Sequence, residues 1–353
     1  MNRISKIMAA MMALVLCVAM VTVATAEGIN VVFIPKLSGN AFFESANVGA
    51  QDFAALNGFT VTYDGNPEAS AANQVAIVQN AITSGADAIC ISTVDAAGVN
   101  DALKEAAEAG LVVTTWDSDS LPESRSIMVS QGTPEQLGVM LVDMLAASLT
   151  ERGKDVTKDA IKYVWHYSQA TVTDQNSWHV AGEVYVAEKY PNWINVFPDN
   201  YYSEQDAEKA ITVGESILST YPDIDGIICN DSTALPGQAQ AAQNLGLDAT
   251  KVSITGFAAP NSMKDYCRAG ILTRWGLWDC KIQGALGCYM AYLLASGQEI
   301  KVGDTIDVPG IGAVTVEPNT VLDPNAFTSE TSGVVLLPER AVFTIENMDN
   351  YNF

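Results

Sequence analysis

The chain has 353 residues, with 18 lysines and arginines against 41 aspartates and glutamates and a formal net charge of -23. So acidic a chain does not bind nucleic acid or an anionic membrane surface by counterion release, and its charge reads as solubility. With 48% hydrophobic residues it can bury large cores, yet after the N-terminus no stretch is long and apolar enough to span a bilayer.

Arg3 and Lys6 precede an apolar run from Ile7 to Ala24 that ends in Ala24-Thr25-Ala26. A short positive region, an apolar region and a small-residue site predict a secretory signal over residues 1–26, cleaved on export. Cys17 follows Leu14-Val15-Leu16, and so bulky a neighbour argues against a lipid anchor there. Five cysteines remain after cleavage: Cys90, Cys229, Cys267, Cys280 and Cys288. The odd number, and apolar neighbours at Cys90 and Cys229, predict buried thiols rather than a disulfide framework. No Cys/His cluster suggests a metal, and no cofactor is expected.

Beyond the signal, short β-branched runs alternate with alanine-rich helical segments. Strands are expected near Ile29–Pro35, Thr60–Asp64, Ala88–Ser92, Val112–Trp116 and Ser126–Val129, with helices near Ala41–Leu56, Asn73–Thr83 and Ala96–Ala109. Gly132-Thr133-Pro134 ends this set, because Gly and Pro stop a strand and Thr133 can cap the next helix.

A second set follows, with strands near Ile161–Tyr167, Trp193–Phe197, Gly226–Cys229, Val252–Gly256 and Leu272–Trp275. Its helices are expected near Gln136–Leu149, Asn176–Lys189, Glu204–Ser219, Leu235–Leu245 and Lys281–Ala295, and Val302–Val316 reads as a strand, a Pro-Gly-Ile-Gly turn and a strand. Strands apolar on both faces belong in parallel sheets covered by helices. The prediction is therefore an α/β protein of two doubly wound parallel-sheet lobes joined by a hinge. The first lobe is expected to hold residues 27–130 and about 278–310, the second 131–277 and about 311–353.

In open α/β sheets a ligand sits beyond the carboxyl ends of the strands. Those positions hold Lys36, Asp117, Asp119, Asp174, Gln175, Asn230 and Asp231, with Phe42 and Phe43 opening the first helix and Trp275 and Trp278 bracketing the last strand. Carboxylates and amides beside aromatic faces suit a polyhydroxylated ring, whose hydroxyls need directional partners and whose C–H faces need flat apolar contact. Each residue also has a plain structural use, as a loop charge, a helix cap or core. Catalytic readings fare worse, since the sequence has no GxSxG, GxxxxGK, GxGxxG or HExxH and only His166 and His179 as histidines. A glycosidase pair of Asp117 and Asp174 stays open as the weaker alternative.

Phe33-Ile34-Pro35-Lys36-Leu37, Thr115-Trp116-Asp117-Ser118-Asp119, Gln131-Gly132-Thr133-Pro134, Thr171-Val172-Thr173-Asp174-Gln175-Asn176, Gly276-Leu277-Trp278-Asp279 and Val335-Leu336-Leu337-Pro338-Glu339-Arg340 carry a family resemblance. These segments resemble the autoinducer-2-binding proteins of Lsr-type ABC importers, which share the ribose-binding-protein type of substrate-binding fold. The resemblance implies a type I periplasmic binding protein fold, a monomer exported to the periplasm or the outer face of the cytoplasmic membrane, and importer membrane subunits as partners. It also implies an uncharged ligand, the boron-free methyl-tetrahydroxy-tetrahydrofuran form of autoinducer-2. Lys36, Asp117, Asp174 and Gln175 match the family's contact positions, and Trp278 matches a pocket-wall aromatic. The sequence departs at Asn230-Asp231-Ser232, where familiar members flank the aspartate with proline and alanine. Asn230 and Ser232 bring extra hydrogen-bonding groups, which keeps a pentose or deoxyhexose open as the ligand. Removal of Asp117 or Asp174 is expected to abolish binding while leaving thermal stability nearly intact.

Overall fold

The computed structural model describes residues 28–353, so the expected signal and Cys17 lie outside the described residues. The first lobe runs β1 (Asn30–Ile34), α1 (Ala41–Asn57), β2 (Thr60–Tyr63), α2 (Ala71–Ser84), β3 (Ala88–Ile91), α3 (Asn100–Glu108), β4 (Val112–Trp116) and β5 (Ile127–Ser130). The chain then crosses into α4 (Pro134–Glu151), β6 (Lys162–Tyr167), α5 (Thr173–Lys189), β7 (Ile194–Asn195), β8 (Tyr201–Tyr202), α6 (Ala207–Thr220), β9 (Gly226–Cys229), α7 (Ala234–Asn244), β10 (Ser253–Gly256), α8 (Pro260–Arg268) and β11 (Arg274–Leu277). It returns through α9 (Cys280–Ala295), β12 (Thr305–Val308), β13 (Gly312–Pro318) and β14 (Gly333–Leu336), and ends beyond β15 (Ala341–Thr344).

The first sheet has the order β12-β13-β14-β5-β4-β3-β1-β2, and the second β10-β9-β6-β7 with β8 also on β6. Strand alternation explains the double winding. Val31 and Phe33 face the core shared with α1, while Val32 and Ile34 face a separate core with Ile77, Val78 and Leu103 of α2 and α3. With apolar side chains on both faces, these strands are stable only under helices on both sides.

The expected lobe boundary near residue 311 needs correction. β14 pairs in parallel with β5, Gly333 opposite Ile127 through Leu336 opposite Ser130, and β13 pairs antiparallel with β14, so both belong to the first sheet. Without β14, the buried strand β5 would leave an edge unpaired. Only β15 turns to the second lobe, where it pairs with β11. The strand expected at Trp193–Phe197 shrinks to β7, since Pro198-Asp199-Asn200 turns the chain before β8 resumes pairing with β6. The helix α8, unexpected from sequence, is short, opens on Pro260 and buries only Pro260, Met263 and Cys267.

Thr133 caps α4 in a capping box: its hydroxyl accepts from the Gln136 N–H at 3.3 Å, and the Gln136 amide oxygen accepts from the Thr133 N–H at 3.0 Å. Three strands of chain cross between the lobes, after β5, after β11 and after β14. Arg340 in the third donates to the Gln131 carbonyl in the first at 2.7 Å. The helices α1 and α9 pack backbone to backbone: a Cβ on Gly49 would stand 2.1 Å from the Lys281 carbonyl oxygen, and one on Gly284 2.2 Å from that of Ala46. Only glycine permits this approach, which fixes α1 and its two phenylalanines against the hinge. The five cysteines among the described residues are all buried and free of disulfides.

Candidate functional site

The carboxyl ends of both sheets converge on one cavity. Lys36, Phe42, Phe43, Asp117, Gln175, Asn230, Asp231, Ser232 and Trp278, all expected from sequence, line it. Asp174, also expected from sequence, is not among the lining residues, but its charge acts on Lys36, which is. Trp278 forms the centre of an aromatic wall, edge-on to Phe42 (5.8 Å between ring centroids), Trp178 (6.0 Å) and Phe257 (5.4 Å). Trp275 points away instead, against Phe343.

The first-lobe wall is built on a buried ion pair. Lys36 Nζ lies 3.0 Å from Asp117 Oδ2, with side chains 4% and 6% exposed, and the Ser92 hydroxyl donates to the same carboxylate oxygen at 2.7 Å. Asp117 leaves β4 in the left-handed region, φ +58°. That turn costs a non-glycine residue about 1 kcal/mol, and the carboxylate it carries meets Lys36 and Ser92. Burial works against the Lys36 ammonium, but Asp117, Asp174 and Asp231 together outweigh it and hold its pKa above the usual value. Asp119, also at this strand end, serves the lobe itself, accepting from Nε and one terminal amino group of Arg125 at 2.9 and 2.6 Å.

The second-lobe wall is assembled differently. Asp174, at the start of α5, accepts from the Ser118 hydroxyl of the first lobe at 2.5 Å and from the Gln131 amide at the first crossing at 3.1 Å. Burial pushes its pKa up to about 6, against the pull of Lys36. Asp231 accepts from the backbone N–H groups of Ala234 (2.5 Å) and Thr233 (3.3 Å) where α7 begins, and burial likewise raises its pKa to about 6. The Gln175 amide oxygen accepts from Ser168 at 2.7 Å. Asn230 donates to the Gln175 carbonyl at 3.4 Å, leaving its own Oδ1 buried without a partner. The Ser232 hydroxyl donates to Asn40 of the first lobe at 3.2 Å, and the Asn40 amide donates to Thr233 at 3.3 Å. With the Ser118 to Asp174 bond, these contacts close the cleft.

A chain of oriented amides links the two walls through the hinge. The Trp278 indole donates to Gln283 Oε1 (2.6 Å), Gln283 Nε2 donates to Gln131 Oε1 (3.0 Å), and Gln131 Nε2 donates to Asp174. An indole can only donate and a carboxylate only accept, so both ends fix the direction of each amide between them.

Four lining residues lay outside the sequence-based set: Trp178, Gln205, Phe257 and Leu277. Trp178 stands one helical turn after Asp174, and Phe257 directly follows β10, so helix spacing and the strand-end rule both reach them. Gln205 follows β8, a two-residue strand with no periodic signal. Glu204 and Gln205 are consecutive left-handed residues, φ +54° and +56°. His166, weighed as a catalytic group, is buried in β6 with Nδ1 3.1 Å from Gln238 Oε1, and burial lowers its pKa to about 4.

A family model described as a periplasmic binding protein domain matches residues 31–299. Among solved structures, LsrB from Clostridium saccharobutylicum in complex with AI-2 is similar at 69% identity with a TM-score of 0.91, covering 92% of this chain and all of that one. An ABC transporter solute-binding protein from Clostridium phytofermentas with bound L-rhamnose shares the fold at 23% identity and a TM-score of 0.81, covering 92% of this chain and 98% of that one. The D-ribose/D-allose-binding protein of Pseudomonas aeruginosa is 25% identical over 283 residues, 78% of this chain and 84% of that protein. These relatives are binding proteins rather than enzymes. With two doubly wound lobes closed over a cavity at their strand ends, this chain belongs to the periplasmic binding protein family, the extracytoplasmic solute-binding proteins.

Proposed function

We propose that the cavity receives autoinducer-2 as its uncharged methyl-tetrahydroxy-tetrahydrofuran form, and that the closed protein presents it, as a monomer, to the membrane subunits of an ABC importer. The observation that carries this reading is the 69% identity, over 92% of this chain, to LsrB solved with AI-2. The chemistry of the cavity supports it. Lys36 is already neutralised by Asp117, and Asp174 and Asp231 add negative charge, so the site repels phosphorylated or carboxylated sugars and favours a neutral ligand. Asp117 and Asp174 accept from ligand hydroxyls, Lys36 and Gln175 donate to ligand oxygens, and the aromatic wall around Trp278 takes the ring face and methyl group. Ligand bonds to both lobes favour the closed form over the open one, which gives an importer a state to recognise.

A pentose or deoxyhexose is the second reading, favoured by the extra polar groups at Asn230 and Ser232. Calorimetric titration of the protein without residues 1–26, in borate-free buffer, with autoinducer-2, ribose and rhamnose separates the two. Micromolar or tighter binding of autoinducer-2 alone, about -8 kcal/mol, is the expected result. Equal or tighter binding of either sugar overturns the assignment of the ligand while keeping the site.

A further inference from the structure

We infer that Gln205 is a ligand-binding residue, whose side-chain amide donates from the second lobe to a ligand hydroxyl that Asn230 accepts from in turn. The inference deepens the proposed function and rests on it for the identity of the ligand.

Gln205 is only 7% exposed and lines the cavity, yet its Nε2 has no hydrogen-bond partner in the protein. Buried amide groups are nearly always satisfied, so an orphaned donor in a ligand cavity points to a partner the ligand supplies. The backbone around it is arranged to keep it there. Two consecutive left-handed residues carry the chain past β8, and the turn is pinned by the N–H groups of Ser203, donating to the Tyr167 carbonyl at 2.9 Å, and of Glu204, donating to that of Ser168 at 2.7 Å. On the far side, Asp206 caps α6 by accepting from the Lys209 N–H at 2.7 Å. Gln205 is thereby held between two fixed elements.

Donors are also what this cavity lacks. Asp117, Asp231 and the unpaired Oδ1 of Asn230 line it as acceptors, against Lys36 and Gln175 as donors. Gln205 Nε2 and Asn230 Oδ1 are an orphaned donor and an orphaned acceptor in one cavity, and a hydroxyl, which accepts and donates at once, satisfies both. The ligand class is therefore one with a free hydroxyl on its second-lobe side. Gln205 also lines an outer groove bounded by Asn40, Ser232 and Thr233, which places it at the rim where the lobes meet. A donor there is engaged only when the lobes have closed on the ligand.

The test measures affinity by calorimetry for wild type, Gln205→Met and Gln205→Gly. Methionine keeps the length and removes the donor, while glycine removes the side chain and suits the left-handed backbone, so it stays informative if the methionine variant fails to fold. Both are expected to bind autoinducer-2 about tenfold more weakly than wild type, about 1.4 kcal/mol. Binding of either folded variant within twofold of wild type overturns the role of Gln205. A wild type that takes rhamnose or ribose in place of autoinducer-2 overturns the ligand assignment alone, and the same two variants then decide Gln205 by the same tenfold criterion on that sugar.

Discussion

The two walls of the cavity are finished to different degrees. On the first lobe, Lys36, Asp117, Ser92 and Ser118 satisfy one another: the ion pair is 3.0 Å long, Ser92 donates to the carboxylate, and the Ser118 N–H donates to Ser92. On the second lobe, Asp174 draws on Ser118 across the cleft and on Gln131 in the hinge, while Asn230 Oδ1 and Gln205 Nε2 have no partner. One wall is preformed and the other is completed by closure and by ligand. A receptor built this way binds weakly when open and tightly when closed, which is the differential affinity that couples ligand to shape.

The largest expected effect separates the walls through stability. Asp117→Ala removes the direct partner of a buried ammonium, and a charge left uncompensated in that way costs about 3 kcal/mol. Asp174→Ala removes a carboxylate that burial already disfavours, so its cost is expected at about 1 kcal/mol. Both lose ligand binding by roughly a hundredfold or more, as two charge-assisted bonds imply. The sequence-based expectation that both would leave stability nearly intact is thus revised for Asp117. Thermal unfolding of the two variants checks it, and equal losses would erase the contrast between preformed and ligand-completed walls.

Much of the site was readable because the strand-end rule depends only on topology. Once residues 30–34, 112–116 and 226–229 read as parallel strands, Lys36, Asp117 and Asn230 had to emerge at one edge. The pairing of Asp117 with Lys36, rather than with ligand alone, was not readable, since it depends on a left-handed turn at a residue that is not glycine. Gln205 was hidden for a similar reason: β8 is two residues long and its position rests on pairing with β6, a contact across more than 30 residues of sequence. The lobe assignment of β13 and β14 failed because a hairpin's own pattern says nothing about which sheet edge it joins.

The amide chain through the hinge offers the next contrast. Gln283→Leu leaves the Trp278 indole and the Gln131 amide oxygen without partners and frees the amide that orients Asp174. A loss of about twentyfold in affinity is expected, with a stability cost of about 1–3 kcal/mol. Gln283→Glu still accepts from Trp278 but cannot donate to Gln131, so it should lose affinity while keeping the tryptophan wall in place. If Gln283→Leu binds as wild type does, Asp174 is oriented by Ser118 alone and the second wall does not depend on the hinge.

The smallest effect is that of pH, and it acts almost wholly on the second wall. Asp174 and Asp231, with pKa values raised to about 6 in the folded protein, gain protons as the pH falls from 7 to 5, whereas in the unfolded chain they would stay ionised down to about 4. The folded state then binds more protons than the unfolded one, so these two groups add stability as the pH falls through 6. His166 acts in the opposite sense, since its pKa of about 4 keeps it neutral when folded while it is charged below about 6.5 when unfolded, and that costs stability over the same interval. The ligand-free unfolding temperature is therefore expected to change little between pH 7 and 5. Ligand binding has no such offset, because a protonated Asp174 loses an acceptor that a ligand hydroxyl needs. Affinity is expected to fall by about threefold to tenfold over this interval, following the ionised fraction of a group with a pKa near 6. Titration at the two pH values, with Asp174→Asn as reference, checks the assignment: the variant should bind weakly and with a smaller pH dependence than wild type, the remainder coming from Asp231, whose pKa is also raised to about 6. An affinity for the wild type that is unchanged at pH 5 would mean that bound ligand keeps Asp174 ionised through Lys36, and would move the second wall's carboxylate into the preformed half of the site.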